Sequence, residues 1–155
     1  MSESWRNWAE SLLQKESSKN LAQDEESIAQ TFRDYVQTFQ TLQPHAVVPY
    51  CHVPCMFISS QGVRVLADAN EMAALIGRLM EGLKAHGFSR SEITEMKVNQ
   101  MSERTALVSI RKIRYKTDGS ELERLGETYT FLKTGDDWKI AALVVHDPER
   151  ILRLA

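Results

Sequence analysis

The chain has 155 residues, 43% of them hydrophobic and 26% charged, with a formal net charge of −2. That length suits one domain with a single good core, and the near-neutral charge gives no electrostatic reason to expect nucleic acid or an anionic membrane as partner. No apolar run approaches the roughly 20 residues that span a bilayer, the opening MSESWRNWAES lacks the features of an export signal, and two cysteines make no disulfide framework, so the expected compartment is the cytoplasm.

Residues 1–23 read as an N-terminal helical extension and linker. Trp5, Trp8, Leu12 and Leu13 form a loose helical stripe, and Trp5 and Trp8 are placed to dock the segment on the domain or on a partner. The polar KESSKNLAQDEES that follows is unpatterned. A first long helix is predicted over 24–42, with Asp24 as N-cap and Ile28, Phe32, Tyr35, Val36, Phe39 and Leu42 on one face. Pro44 and Pro49 bound a turn or half-helix. Residues 50–58 read as extended, and VRVL after Gly62 as a short partner strand. Asp68 and Glu71 form a capping box for a second long helix, whose buried stripe runs Met72, Leu75, Ile76, Leu79, Met80, Leu83, and Gly87 ends it. The period then changes to two. Strands are predicted at about 90–100, 105–117, 123–134 and 137–146, with Asp118-Gly119 as the strongest hairpin signal. The sum is a single α+β domain over 24–155, with helices packed on one face of a curved sheet that ends in an antiparallel meander.

Cys51, His52 and Cys55 look at first like a ligand cluster. On a regular strand, however, the two cysteine Cα atoms lie about 13 Å apart, beyond the roughly 7 Å that a disulfide tolerates and too far for one zinc ion. The cysteines are therefore read as small buried hydrophobes, with no metal expected. Strict alternation puts His52 on one face with Met56, and Trp138 on one face with His146. His52 and His146 are candidate proton carriers because imidazole titrates near neutral pH; the plainer alternative is a hydrogen-bonded strand histidine. His45 and His86 are expected in solvent. Tyr35 is either a core tyrosine or a pocket residue, and the same holds for Tyr129 and Phe131. In SIRKIRYK either Arg111 or Lys112 faces inward, and alternation does not decide which. No phosphate loop, nucleophile elbow or zinc-protease motif is present.

The element order resembles the nuclear transport factor 2-like superfamily, the cone-shaped fold shared by ketosteroid isomerases and polyketide cyclases. The resemblance covers about residues 24–150. It rests on IAQTFRDYVQTFQTLQPHAVVPYC, on the helix after VRVLAD, and on LKTGDDWKIAALVVHD. It implies a cone-like curved sheet, mixed or antiparallel, with helices packed on its concave face. It also implies a pocket at the wide end, and a homodimer through the outer sheet face. Isomerase-like members set a first-helix tyrosine against a carboxylate at the end of the first strand. Tyr35 matches the tyrosine, but Phe57-Ile58-Ser59 offers no carboxylate there.

The expected function is therefore binding of an unknown small hydrophobic ligand in a mainly apolar pocket, with Tyr35, His52, Met56, Tyr129, Trp138 and His146 as pocket candidates. No cofactor, nucleic acid or membrane partner is expected. Two alternatives stay open. One is an isomerase, dehydratase or cyclase using His52, His146 or Tyr35; the other is a dimeric scaffold whose cone is filled by side chains.

Overall fold

The computed structural model describes residues 4–8 and 21–152. Leu12, Leu13 and residues 15–20 of the expected linker lie outside the described residues. Residues 4–8 are helical, with Trp5 and Trp8 exposed. The domain then runs α1 (Leu21–Phe39), a one-turn helix α2 (Pro44–Val47), a 3-10 turn (Val48–Tyr50), β1 (Cys51–Ser59), β2 (Gly62–Leu66) and α3 (Ala69–Ala85). The meander follows as β3 (Phe88–Gln100), β4 (Thr105–Lys116), β5 (Glu121–Thr134) and β6 (Asp137–His146), and a 3-10 turn at Pro148–Arg150 comes last. No helix among these residues is long and apolar enough to cross a membrane.

Local chemistry accounts for most boundaries. Helix α1 begins three residues ahead of Asp24, whose carboxylate instead accepts a hydrogen bond from Gln100 Nε2 at 3.0 Å and ties the first turn to the end of β3. It ends at Phe39, short of the expected residue 42, because Leu42 turns the chain with a φ of 55°. Helix α3 is capped as expected: Asp68 Oδ1 accepts from the Glu71 amide at 2.8 Å. Glu71 reaches back one residue further than a capping box requires, to the Ala67 amide. Gly87, at a φ of 80°, closes the helix with its amide on the Lys84 carbonyl.

The six strands form one sheet in the order β2-β1-β6-β5-β4-β3. All neighbours are antiparallel except β1 and β6, which are parallel. The sheet is mixed and its concave side holds the core. Ile28 and Phe32 of α1 pack there with Ala106, Val108 and Ile110 of β4 and with Tyr129 and Phe131 of β5. Regular alternation on β4 settles the inward residue: Ile110 is fully buried, and Lys112, not Arg111, continues its face toward the interior.

Two strands break the alternation that the sequence reading assumed. On β6, Ile140 pairs with Phe131 and Ala142 with Thr130, so Ala141 is an extra residue and the register shifts there. Beyond it Leu143 and Val145 point inward, whereas His146 lies on the outer face. On β1, Cys51 pairs with Ile140 and Met56 with Ala142, so five residues of β1 are set against two of β6. This irregular stretch contains a cis Val53–Pro54 peptide.

The outer face is partly covered by the chain itself. After β6, residues 147–152 turn back across β5 and β4: Arg111 Nε donates to the Pro148 carbonyl at 2.8 Å, and the Leu152 amide donates to Ser109 Oγ at 3.0 Å. Ser109 Oγ lies 2.9 Å from Thr128 Oγ1, which lies 2.8 Å from His146 Nε2. The other ring nitrogen, Nδ1, donates to the Asp147 carbonyl at 2.8 Å. This explains why Ser109 is fully buried on a face that alternation makes external.

The imidazole lies flat over Gly126, its cross-strand partner, where a Cβ would come within 2.6 Å of the ring and 2.7 Å of the Asp147 carbonyl. Gly126→Ala should therefore lose about 2 kcal/mol of stability. Urea unfolding measures this, and an unchanged midpoint would disprove the packing role assigned to this glycine.

Candidate functional site

The aromatic face of α1 closes the narrow end of the cone. Phe32 sets its ring edge-on to Tyr129 at 4.9 Å and to Phe131 at 6.5 Å, a favourable arrangement of ring quadrupoles. Past Tyr129 the helices no longer fill the concave face. Met72, Leu75, Ile76 and Leu79 of α3 look across a cavity of about 690 Å³ at Leu125 of β5 and at Leu143 and Val145 of β6. Tyr35 and Tyr129 lie at its inner end, and the partly exposed Met56, Leu79 and His86 contribute to its wall. Such a volume suits a drug-sized molecule.

The sheet wall is apolar except for one cluster. Glu127 and Tyr129 are two residues apart on β5 and share the inward face; Lys112 of β4 sits diagonally across, since the register pairs it with Leu125. Lys112 and Glu127 form an ion pair whose side chains are only 7% and 5% exposed. Arg114, one inward position along β4, pairs with Glu123, whose side chain is 44% exposed. Burial pulls the Lys112 ammonium down from the ordinary lysine value, and the neighbouring Glu127 carboxylate opposes it.

Tyr35 and Tyr129 stand 5.9 Å apart, ring centre to ring centre. Burial first, and then the negative Glu127, hold both phenols well above the usual tyrosine range, so both stay protonated. The Tyr129 hydroxyl and Arg114 Nε are buried without a hydrogen-bond partner among the described residues. Buried polar atoms of this kind are uncommon, and each invites an explanation. Here both belong to residues that line the cavity.

Three of the six expected pocket residues, Tyr35, Met56 and Tyr129, line the cavity, and three do not. His52 sits on the irregular part of β1 and turns its Nδ1 to the Pro54 carbonyl at 2.9 Å. Trp138 is a core residue, 3% exposed, on the stretch of β6 before the bulge that flanks the filled narrow end. His146 is carried to the outer face by the bulge at Ala141. Helical spacing had put Tyr35 in reach, and GETYTF places Glu127 on the face of Tyr129 by simple alternation. The missed carboxylate was therefore readable from the strand that supplied Tyr129. The isomerase-like pattern puts its carboxylate at the end of β1, where this chain has Phe57-Ile58-Ser59.

Breaking one side of the Lys112–Glu127 pair leaves an uncompensated buried charge. Lys112→Met or Glu127→Leu alone should each lose about 3–5 kcal/mol, whereas the double replacement should regain most of that loss. Additive losses in a denaturant-unfolding cycle would show that the two side chains do not act as a pair.

Solved structures share this fold at low sequence identity. An NTF2-like protein with a cystatin-like fold from Novosphingobium aromaticivorans is 18% identical, with 81% of this chain and 82% of that one covered at a TM-score of 0.66. An NTF-2 like protein of unknown function from Shewanella oneidensis is 17% identical over 79% of this chain and 98% of its own, at 0.63. Aln2 from a Streptomyces species is 14% identical over 87% and 96%, at 0.66. No curated protein matches the chain. The family model for NTF2-like protein (DUF6841) matches residues 24–148, and the chain belongs to that family.

Proposed function

We propose that this domain binds a small hydrophobic molecule carrying one polar end, held in the cone with the polar end at the Tyr129–Glu127–Lys112–Arg114 cluster. The observation that carries this reading is the combination of a roughly 690 Å³ cavity with apolar walls and a single polar cluster whose Tyr129 hydroxyl and Arg114 Nε lack partners. A ligand oxygen at either would satisfy a donor that otherwise bears the cost of burial. Because both cations already face carboxylates, the cluster suits a carbonyl or hydroxyl better than a free negative charge. The open volume also weighs against a scaffold whose cone is filled by side chains.

Anilinonaphthalene sulfonate is a suitable first probe. The folded protein should bind it at one saturable site, and Leu143→Trp, which puts an indole into the cavity, should weaken binding about tenfold or more. Arg124→Ala, on the outer face, should leave binding unchanged. Equal binding by both variants and wild type, each with a cooperative unfolding transition, would remove the cavity as the site.

One observation favours a second reading as an isomerase- or dehydratase-type enzyme. Glu127 beside two protonated phenols is an acid–base set of the kind that proton transfer next to a carbonyl requires. Glu127 would take the proton, and Tyr129 and Tyr35 would donate to the oxygen as charge develops on it. Glu127 is already engaged by the Lys112 ammonium, so binding ranks first. The two readings part at Glu127→Gln. If the domain is an enzyme, this variant should lose turnover of a bound enolisable ketone about a hundredfold while still binding it; equal exchange of the α-hydrogens by wild type and variant would dispose of the enzyme.

A further inference from the structure

Cys51 and Cys55 are brought together by the irregularity of β1. Cys51 is opposite Ile140 and Met56 opposite Ala142, so the whole segment from Cys51 to Met56 advances only as far as two residues of β6. That is about 7 Å at roughly 3.3 Å per residue, in place of the 13 Å or more of a regular strand. The advance along β6 to Cys55 is thus no more than about 7 Å, which is within the range of Cα separations that a disulfide accepts. Both cysteines are free, and both line the cavity, Cys51 half-buried and Cys55 8% exposed. Two thiols four residues apart on a strand have thus become neighbours on one cavity wall.

We propose that Cys51 and Cys55 form an oxidation site on the cavity wall, closed to an intrachain disulfide by a small hydroperoxide that enters the cone. The chemistry orders the two sulfurs. The Cys51 thiol donates toward the Val47 carbonyl at 4.0 Å, and the adjacent Cys55 sulfur, together with burial, holds the Cys51 proton in place. The nearby Cys51 side chain, helped by the Met56 amide, lowers the Cys55 thiol against the opposing effect of burial. With the Cys51 proton directed at the Val47 carbonyl, Cys55 is the attacking sulfur. Its thiolate takes the terminal peroxide oxygen as the O–O bond breaks, the alkoxide leaves and picks up a proton to become an alcohol, and Cys55 becomes a sulfenic acid. The Cys51 sulfur then attacks the Cys55 sulfur and forms the S–S bond; the hydroxyl leaves with the Cys51 proton as water. The two sulfurs lose two electrons in all, and the hydroperoxide gains them. Closure fixes the bulge and removes both S–H groups from the wall, so the oxidised cavity presents a different surface to any ligand.

The site does not depend on what the cavity binds, and it is tested on the full chain. The reduced protein is treated with hydrogen peroxide, alkylated and analysed by intact mass and peptide mapping. The expected result is a monomeric chain lighter by two hydrogens, with Cys51 linked to Cys55 and the link reversed by dithiothreitol. Cys51→Ser should accumulate a dimedone-trapped sulfenic acid at Cys55, while Cys55→Ser should leave Cys51 unoxidised at the same dose. Near-ultraviolet dichroism confirms that each serine variant is folded. The proposal fails if both thiols of the wild type stay alkylatable, if the bridge joins separate chains, or if Cys55 over-oxidises equally fast with and without Cys51.

Discussion

The packing of α1 across β5 is the constraint on which the rest of the domain depends. Phe32 and Tyr35, three residues apart on one helical face, bracket Tyr129, and the edge-on contacts fix the helix against the sheet at that point. On one side of Tyr129 the helix and sheet converge and side chains fill the space. On the other they diverge, and α3 spans a gap instead of a packed interface. The cavity is thus a consequence of where the aromatic contact lies. Its inner end is bound to be aromatic and phenolic, because the residues that close the cone are also the residues that face into it.

A polar cluster in such a position is costly to hold and is paired accordingly. Lys112 and Glu127 are neutralised by each other, Arg114 by Glu123, and the tyrosines by keeping their protons. Replacing a buried ion pair by hydrophobic side chains is often neutral or stabilising, so stability alone gives little reason to keep Lys112 and Glu127 there. The proposed binding of a ligand does give one. The arrangement leaves donors without partners next to open volume, and a wholly apolar wall would offer no means of orienting a ligand.

Much of the fold was legible in the sequence because the relevant signals are local. The Asp68 cap, the Gly87 stop and the Asp118-Gly119 turn each rest on neighbouring residues, and the four meander strands begin and end within two residues of their expected limits. The site was only half legible. Tyr35 and Tyr129 follow from unbroken periodicity on α1 and β5. His146 and His52 were misplaced because a single inserted residue on β6 and the compressed segment of β1 each defeat alternation. Pro54 signalled some irregularity on β1, but nothing local marks Ala141, whose shift depends on how β5 and β1 pair with it. The compressed segment of β1 also brings Cys51 and Cys55 nearer than a regular strand would.

The parallel contact between β1 and β6 has a consequence for the order in which the domain assembles. β3 to β6 can form from neighbouring hairpins, each closing a short loop. The β1–β2 hairpin can join the sheet only through the last strand, across some 90 residues of intervening chain, as with Pro49 and Lys139. Long-range closure of this kind is slow relative to hairpin formation. During synthesis the first half of the chain must wait for β6 to emerge, and until then the cavity has no second wall. A ligand of the proposed kind would therefore meet a completed domain, and would not template the sheet that encloses it.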